Sequence, residues 1–414
     1  MWQRLITDVT EVINNEAFLN LVVKNNIDKV TENEQKLYTK IIYGVVENKK
    51  WIDFLLRPYC GGKRFKPYPK NALRIGVYAL SYLSLAKFYV VNSLVDVVKK
   101  KDYNASKAIN SILRSFIKDE RVTKAKKELD KLPLNEKESI IYNIDIEVLK
   151  LIKSEYPNDY QGILSPADDT INSYRINTLK ISIDELTLML YNMKINYTIS
   201  EDMILSKESL IKTSLFKERL IIPQDTSSAQ VAKVLNPPQS STILDTCSAP
   251  GSKSFHLACL MKNKGRIVSC DIYEHKLKLI EEEAKNQGIT IIETKLKDAS
   301  NTTYDEMFSY ILVDAPCSGM GTMKHKGDLK LRITIDKIKE IEELQQQILN
   351  NVINYLLPRG VLVYSTCTIN KDENEKQIEK FLINHPEIEK EEEYSYLPTS
   401  QNDGFYICKL IKKG

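Results

Sequence analysis

Hydrophobic residues recur at helical spacing through the first 130 residues. Leu37, Ile41 and Val45 fall on one helical face, and a second run of the same kind occupies residues 73–85. Prolines and paired glycines separate the runs and mark turns between helices. The pattern therefore predicts an all-α domain over residues 1–130.

The pattern becomes mixed over residues 131–220. A charged linker or exposed helix leads into a strand-like run at 173–178, a helical run at 183–193 and a short strand at 197–199. A β-α-β unit of this size predicts a small α+β, ferredoxin-like accessory domain.

Strands and helices alternate from residue 240 onward, within a third domain expected over 221–414. Helical patterns lie between short apolar runs, notably at 276–285 and 335–356. The predicted strands are 243–244, 267–269, 289–292, 310–313 and 361–364. This alternation predicts an α/β domain, a doubly wound parallel sheet with helices on both faces.

The charge is unevenly distributed along the chain. Residues 1–135 carry 25 Lys and Arg against 14 Asp and Glu, a net of +11, whereas the remainder carries 34 against 41, a net of −7. A basic, tyrosine-containing N-terminal third is typical of a polyanion-binding module. Solvated lysine-rich helices would give the same composition, so charge alone leaves the two interpretations open.

Several protein classes do not fit the sequence. The N-terminus lacks the pattern of a signal peptide, and no apolar run is long enough for a membrane span. The seven cysteines form no C-x-x-C pair, which argues against structural zinc or a disulfide framework. We expect a cytoplasmic, metal-free monomer that does not associate with membranes.

A small-residue turn follows the first strand of the α/β domain, at Asp245–Lys253 (DTCSAPGSK). Such a turn lets the backbone approach a nucleotide closely, and Asp271, at the end of the next strand, can accept hydrogen bonds from ribose hydroxyls. The turn has one glycine and lacks G-x-G-x-x-G, which disfavours a nicotinamide dinucleotide and a dehydrogenase. A nucleoside ligand without phosphates, S-adenosylmethionine above all, fits better.

Two cysteines, Cys317 and Cys367, lie just past the ends of strands 310–313 and 361–364. Residues at the carboxyl ends of such strands face the ligand crevice, so we expect both thiols at one site. A thiolate beside S-adenosylmethionine suits methylation at carbon 5 of cytosine, because addition of sulfur to carbon 6 makes carbon 5 nucleophilic. The residues alone leave the two thiols unranked.

Three segments together carry a family resemblance: Ile243–Leu257 (ILDTCSAPGSKSFHL), Asp314–Gly321 (DAPCSGMG) and Gly360–Phe381 (GVLVYSTCTINKDENEKQIEKF). They resemble the S-adenosylmethionine-dependent RNA cytosine-5 methyltransferases of the NOL1/NOP2/Sun group, which have a Rossmann-like class I methyltransferase domain. The helical region, notably Asn92–Arg114, is similar to the RNA-binding NusB fold. The combination resembles 16S rRNA methyltransferases of the RsmB/Sun type.

This resemblance implies roles for particular residues. Cys367 would be the attacking nucleophile and Cys317 would act in product release. Asp314 would also face the cytosine ring. The implied cofactor-binding residues are Cys247, Ser248, Ala249, Pro250, Gly251, Ser252, Lys253, Asp271, Asp298 and Asp314. The implied substrate is 16S rRNA, free or in an early assembly particle, with its target base flipped or unpaired.

The sequence departs from the family pattern at the cofactor turn and after the Pro-Cys motif. Ser248 and Ser252 replace an alanine and a glycine, and 324–328 (KHKGD) lacks the family's proline. Two alternatives stay open: a tRNA or 23S rRNA cytosine-5 methyltransferase, and a non-catalytic RNA-binding assembly or antitermination factor. The NusB-like region disfavours the first, and retention of both thiols disfavours the second.

Overall fold

The structure is a computed structural model that describes residues 1–62, 64–166 and 171–414. It divides the chain into two compact units, one of residues 1–158 and 326–334, the other of residues 159–325 and 335–414. Within the described ranges, no helix has the length and apolar character needed to cross a membrane.

The first unit is built from helices, as the sequence predicts. Its buried core surrounds α5, which begins with prolines and is buried along almost its whole length after Pro69. Pro67 at the first helical position suits a helix start because that position needs no N–H donor. The helices are α1 (Trp2–Asn14), α2 (Leu19–Asn26), α3 (Glu32–Glu47), α4 (Lys49–Cys60), α5 (Pro67–Tyr82), α6 (Lys87–Lys99), α7 (Tyr103–Lys118), α8 (Arg121–Leu129), α9 (Leu134–Ile141) and α10 (Ile146–Glu155).

Residues 326–334 return to this helical unit from far along the chain. The buried carboxylate of Asp328 accepts a hydrogen bond from the Leu19 amide at the start of α2, at 3.2 Å. Arg332 pairs with Asp328 and lies 4.2 Å from the ring centroid of Phe18, while Leu331 packs against the helical core. The KHKGD segment, which lacks the family's proline, is therefore anchored at its last residue, Asp328.

The second unit contains a small antiparallel sheet with strand order β2-β3-β1-β4. This order, with one helix after β1 and a short one after β3, is that of a ferredoxin-like unit, as predicted. Its apolar face packs on helix α12. The elements are α11 (Tyr160–Leu164), β1 (Asn172–Ile176), α12 (Ile183–Asn192), β2 (Thr198–Ser200), β3 (Met203–Ser206), α13 (Ser214–Lys217) and β4 (Ile221–Pro223).

A seven-stranded sheet follows, with order β10-β11-β9-β8-β5-β6-β7. Strands β5 to β9 are parallel, and the order reverses direction between β5 and β8, where a doubly wound sheet opens its ligand crevice. The elements are α14 (Thr226–Leu235), β5 (Thr242–Asp245), α15 (Ser252–Leu260), β6 (Arg266–Asp271), α16 (Glu274–Gln287), β7 (Ile292–Leu296), β8 (Phe308–Asp314), α17 (Ile335–Val352), β9 (Leu356–Thr366), α18 (Glu375–Asn384), β10 (Ile388–Tyr396) and β11 (Phe405–Lys412).

Two details of the sheet differ from the sequence prediction. The sheet is not wholly parallel, because β11 runs antiparallel to β9 and β10 antiparallel to β11. The sequence of β10 is rich in charged residues and was not predicted as a strand, but β10 forms one edge of the sheet. Exposed charges at an edge strand oppose pairing with the edge of another sheet. The third strand begins at Ile292 rather than at 289, because Gly288 ends α16 in the left-handed conformation (φ +78°).

Candidate active site

Cys317 and Cys367 follow two neighbouring parallel strands. β8 ends at Asp314 and β9 at Thr366, with Asp314 directly opposite Ser365. The two sulfur atoms lie 3.4 Å apart, and both side chains are partly buried. The structure thus brings the two thiols to one point at the carboxyl edge of the sheet.

Lys253 and Asp314 form an ion pair at the same edge. Lys253 Nζ lies 2.7 Å from Asp314 Oδ2, and Ser365 Oγ donates to Asp314 Oδ1 at 2.8 Å. Burial lowers the pKa of Lys253, but the Asp314 carboxylate and the Cys367 sulfur raise it, and the net shift is upward. Lys253 therefore supplies a fixed positive charge that interacts with Cys367, and such a cation favours a thiolate.

Cys317 lies near two carboxylates, those of Glu373 and Asp314. Its hydrogen bond with Cys367, its burial, and the charges of Cys367, Glu373 and Asp314 all raise the pKa of its thiol well above the ordinary value. Cys317 is accordingly held as a protonated thiol at neutral pH.

The predicted cofactor turn joins β5 to α15. Gly251 has φ +103°, and a Cβ there would lie 2.5 Å from the Phe255 ring, so the position requires glycine. The amide and hydroxyl of Ser248 both donate to the Cys270 carbonyl, at 2.8 and 2.9 Å. Serine at 248 thus anchors the turn to the adjacent strand β6. Cys247 lies in this turn, where burial raises the pKa of its thiol.

The two acidic residues after β6 and β7 differ in their surroundings. Asp271 is buried, and its Oδ1 accepts from the Tyr273 amide at 3.0 Å. Asp298 is exposed, and its carboxylate accepts hydrogen bonds from Ser300 and Asn301 in its own turn. Both lie at the carboxyl edge of the sheet, since β6 and β7 are parallel neighbours.

Asp245, at the end of β5, was missed as a site residue by the sequence reasoning. It is fully buried, and its Oδ2 accepts from Ser254 Oγ at 2.5 Å. Burial raises its pKa to about 7. Its position as the first residue of the Asp245–Lys253 turn could have identified it.

Glu373 was also missed, although it lies within the Gly360–Phe381 segment. It is fully buried and accepts hydrogen bonds from Ser318, next to Cys317, and from Asn370 and Gln345. Nothing in its local sequence distinguishes it from the charged residues around it.

The helical unit carries basic and aromatic side chains near the turn between α6 and α7. Tyr103 is more than half exposed, with the ammonium groups of Lys107 and Lys99 4.4 and 5.9 Å from its ring centroid. Lys101 lies 4.1 Å from the Tyr68 ring centroid. Exposed aromatic rings among cations are typical of surfaces that bind nucleic acid.

Comparisons with known proteins agree on both units. A family model described as "16S rRNA methyltransferase RsmB/F" matches residues 232–411, and one described as "NusB family" matches residues 3–118. The crystal structure of PH0851 superposes with a TM-score of 0.82 at 25% identity and covers 99% of both chains. The structure of NSun6 from Pyrococcus horikoshii with SFG (TM-score 0.59, 22% identity, 65% of this chain and 97% of that one) shares the fold.

Curated relatives match over most of their length. The chain is 31% identical to a Bacillus subtilis (strain 168) protein described as "Probable ribosomal RNA small subunit methyltransferase B", over 97% of this chain and 96% of the relative. It is 27% identical to ribosomal RNA small subunit methyltransferase B of Shewanella oneidensis, over 92% and 91%. The helical unit therefore contains a NusB domain, the sheet unit contains a Rossmann-like methyltransferase domain, and the chain belongs to the RsmB family of ribosomal RNA small subunit methyltransferases.

Proposed function

We propose that this methyltransferase transfers a methyl group from S-adenosylmethionine to carbon 5 of a cytosine in 16S rRNA, through a covalent bond between Cys367 and carbon 6. The observation that carries the proposal is the pair of sulfur atoms 3.4 Å apart at the carboxyl ends of two neighbouring parallel strands. Methyl transfer to an exocyclic amine would need no thiol, so a paired-thiol site favours carbon 5.

The residues of the turn after β5 suit a nucleoside with a sulfonium group. Gly251 lets the backbone approach the ligand, and Asp271 offers a carboxylate at the edge of β6 for ribose hydroxyls. The other proposed contacts are Cys247 to Lys253, Asp298 and Asp314. When bound, S-adenosylmethionine supplies an electrophilic methyl group for the nucleophilic carbon 5 of the adduct.

Cys367 performs the covalent step. Its thiolate, favoured by the Lys253 cation, adds to carbon 6, and the electrons of the C5–C6 double bond make carbon 5 nucleophilic. After methylation a water molecule accepts the C5 proton. The electrons of the C5–H bond restore the C5–C6 double bond, and the C6–S bond breaks to release the Cys367 thiolate. Cys317 is close enough to donate a hydrogen bond to that departing sulfur and so assists release.

The helical unit would hold the RNA that surrounds the target base. Its net charge and the exposed Tyr103 support backbone neutralisation and base stacking. We keep the sequence-based division into 1–130, 131–220 and 221–414 as a functional proposal, in which the first part binds RNA and the last performs the chemistry.

The test is methylation of 16S rRNA in vitro with labelled cofactor, followed by mapping of the product. Cys367→Ala should abolish methylation while the cofactor still binds. Cys317→Ala should accumulate a covalent protein–RNA adduct that survives denaturation. Turnover by the Cys367 variant would refute the mechanism, and absence of label from 16S rRNA would refute the substrate.

A further inference from the structure

The buried Glu373 carboxylate connects the two cysteine loops. Its Oε2 accepts from the Ser318 amide at 2.8 Å and from Gln345 Nε2 at 3.1 Å. Its Oε1 accepts from Ser318 Oγ at 2.5 Å and from Asn370 Nδ2 at 3.1 Å. Both oxygens are occupied by donors, so the arrangement suits an ionised carboxylate, which can only accept.

The residues on both sides of each cysteine belong to the same network. Before Cys317, the Pro316 carbonyl accepts from Gln345 Nε2 at 2.9 Å. Around Cys367, Thr366 Oγ1 donates to Asn374 Oδ1 at 2.6 Å, and Asn374 Nδ2 donates to the Thr368 carbonyl at 3.0 Å. The hydroxyls of Ser318 and Thr368 are 2.8 Å apart and join the two loops directly.

We propose that Glu373 is a positioning residue for the methyl-transfer reaction. Its carboxylate fixes the Cys317 loop against the Cys367 loop, and its negative charge keeps Cys317 protonated so that Cys367 alone becomes the nucleophile. This inference rests on the proposed function and deepens it, because it gives a physical reason for the different roles of two adjacent thiols.

The charges around the two thiols agree with their proposed roles. Glu373 and Asp314 are the carboxylates that raise the pKa of the Cys317 thiol, after its hydrogen bond with Cys367 and its burial. Lys253, from α15, interacts with Cys367. Burial raises the pKa of Glu373, and the hydrogen bonds from Ser318, Asn370 and Gln345 oppose that shift. On α17, burial raises the pKa of Glu342, and the charges of Asp372 and Glu373 raise it further.

Alkylation of Cys317 tests, without any RNA, whether the negative charge of Glu373 keeps the Cys317 thiol protonated. In a Cys367→Ser background, the rate of modification of Cys317 by iodoacetamide is followed against pH by mass spectrometry. Glu373→Gln should shift the midpoint of this profile to lower pH by about one unit, because a nearby negative charge is removed. Asp372→Asn, which removes the neighbouring carboxylate paired with the exposed Lys376, is the matched control and should leave the midpoint in place.

Methylation kinetics test whether Glu373 positions the two cysteine loops for the reaction. With Cys367 present, Glu373→Gln should lower kcat about 100-fold, the cost of a misplaced reacting group, with little change in KM for RNA. Glu373→Asp keeps the charge but shortens the side chain, so it should keep the alkylation midpoint and recover only part of kcat. An unchanged midpoint in Glu373→Gln, or a shifted midpoint in Glu373→Asp, would overturn the charge effect. An unchanged kcat in Glu373→Gln would overturn the positioning role.

A second variant keeps the test decisive if Glu373→Gln does not fold. Ser318→Ala removes one donor and leaves the carboxylate, so kcat should fall about 10-fold while the alkylation midpoint stays. Full activity of Ser318→Ala would overturn the positioning role. If the unaltered protein methylates no RNA, the proposed function fails, and the alkylation midpoint still decides the charge effect of Glu373.

Discussion

The carboxyl group of Asp245 should make the stability of the protein fall as pH rises toward neutrality. Burial raises its pKa from 3.8 to about 7, with a smaller upward contribution from Asp314 and downward contributions from Ser254 and Lys253. Between pH 4 and 7 the folded chain therefore holds a proton that the unfolded chain has lost. The free energy of unfolding therefore falls steadily between pH 4 and 7 and levels off once the folded carboxyl has lost its proton.

The size of the effect follows from the two pKa values. A shift of one unit corresponds to about 1.4 kcal/mol, and between pH 5 and 8 the folded carboxyl loses its proton while the unfolded one is already ionised. The free energy of unfolding should therefore fall by about 2–3 kcal/mol over this range through Asp245 alone. Asp245→Asn, which cannot ionise, should lack this contribution.

Denaturant unfolding at several pH values between 5 and 8 measures the effect. The quantity of interest is the unfolding free energy of the unaltered protein minus that of Asp245→Asn, which should decrease with pH. Asp305→Asn, at an exposed position, is the control and should show a difference that is independent of pH. A flat difference for Asp245→Asn as well would mean that Asp245 does not titrate in this range.

Three further changes probe the cofactor turn, the ion pair and the RNA surface. Gly251→Ala should weaken binding of S-adenosylhomocysteine at least 10-fold, as measured by calorimetry. The backbone at this position is left-handed, and the new Cβ would clash with the Phe255 ring. Unchanged affinity would contradict this. Lys253→Met should lower the rate of covalent adduct formation about 100-fold, because it removes the cation that interacts with Cys367. A normal rate would exclude a role for the cation. Tyr103→Ala should weaken RNA binding about 10-fold in filter-binding assays. The salt dependence of binding should not change, because the substitution removes a stacking ring and no charge. Unchanged affinity would mean that the RNA binds elsewhere.

The local pattern of apolar and polar residues was sufficient to predict most of the fold. The positions of Cys317 and Cys367 past two strands follow from the alternation of apolar runs and helices, because parallel strands bring their carboxyl ends to one edge. The edge strand β10 was not predictable in this way, since its charged residues show no apolar face. Strands at an edge depend on their neighbour for pairing more than on their own sequence.

The polar network behind the thiols could not be read from the sequence. Glu373 and Gln345 are 28 positions apart, and each is an ordinary polar residue in its own segment. Only the packing of α17 against the loops places them together and removes them from water. The pKa of Asp245 is likewise set by burial, which depends on the complete fold rather than on local sequence.

The turn at 326–334 makes the chain pass between its two units three times, at 158–159, 325–326 and 334–335. A fragment that ends at residue 158 would lack the Asp328 carboxylate at the start of α2, and one that begins at 159 would leave Leu331 without its apolar surroundings. Neither unit can therefore be obtained intact by cutting the chain once. A functional dissection should instead join residues 1–158 to 326–334 through a short linker.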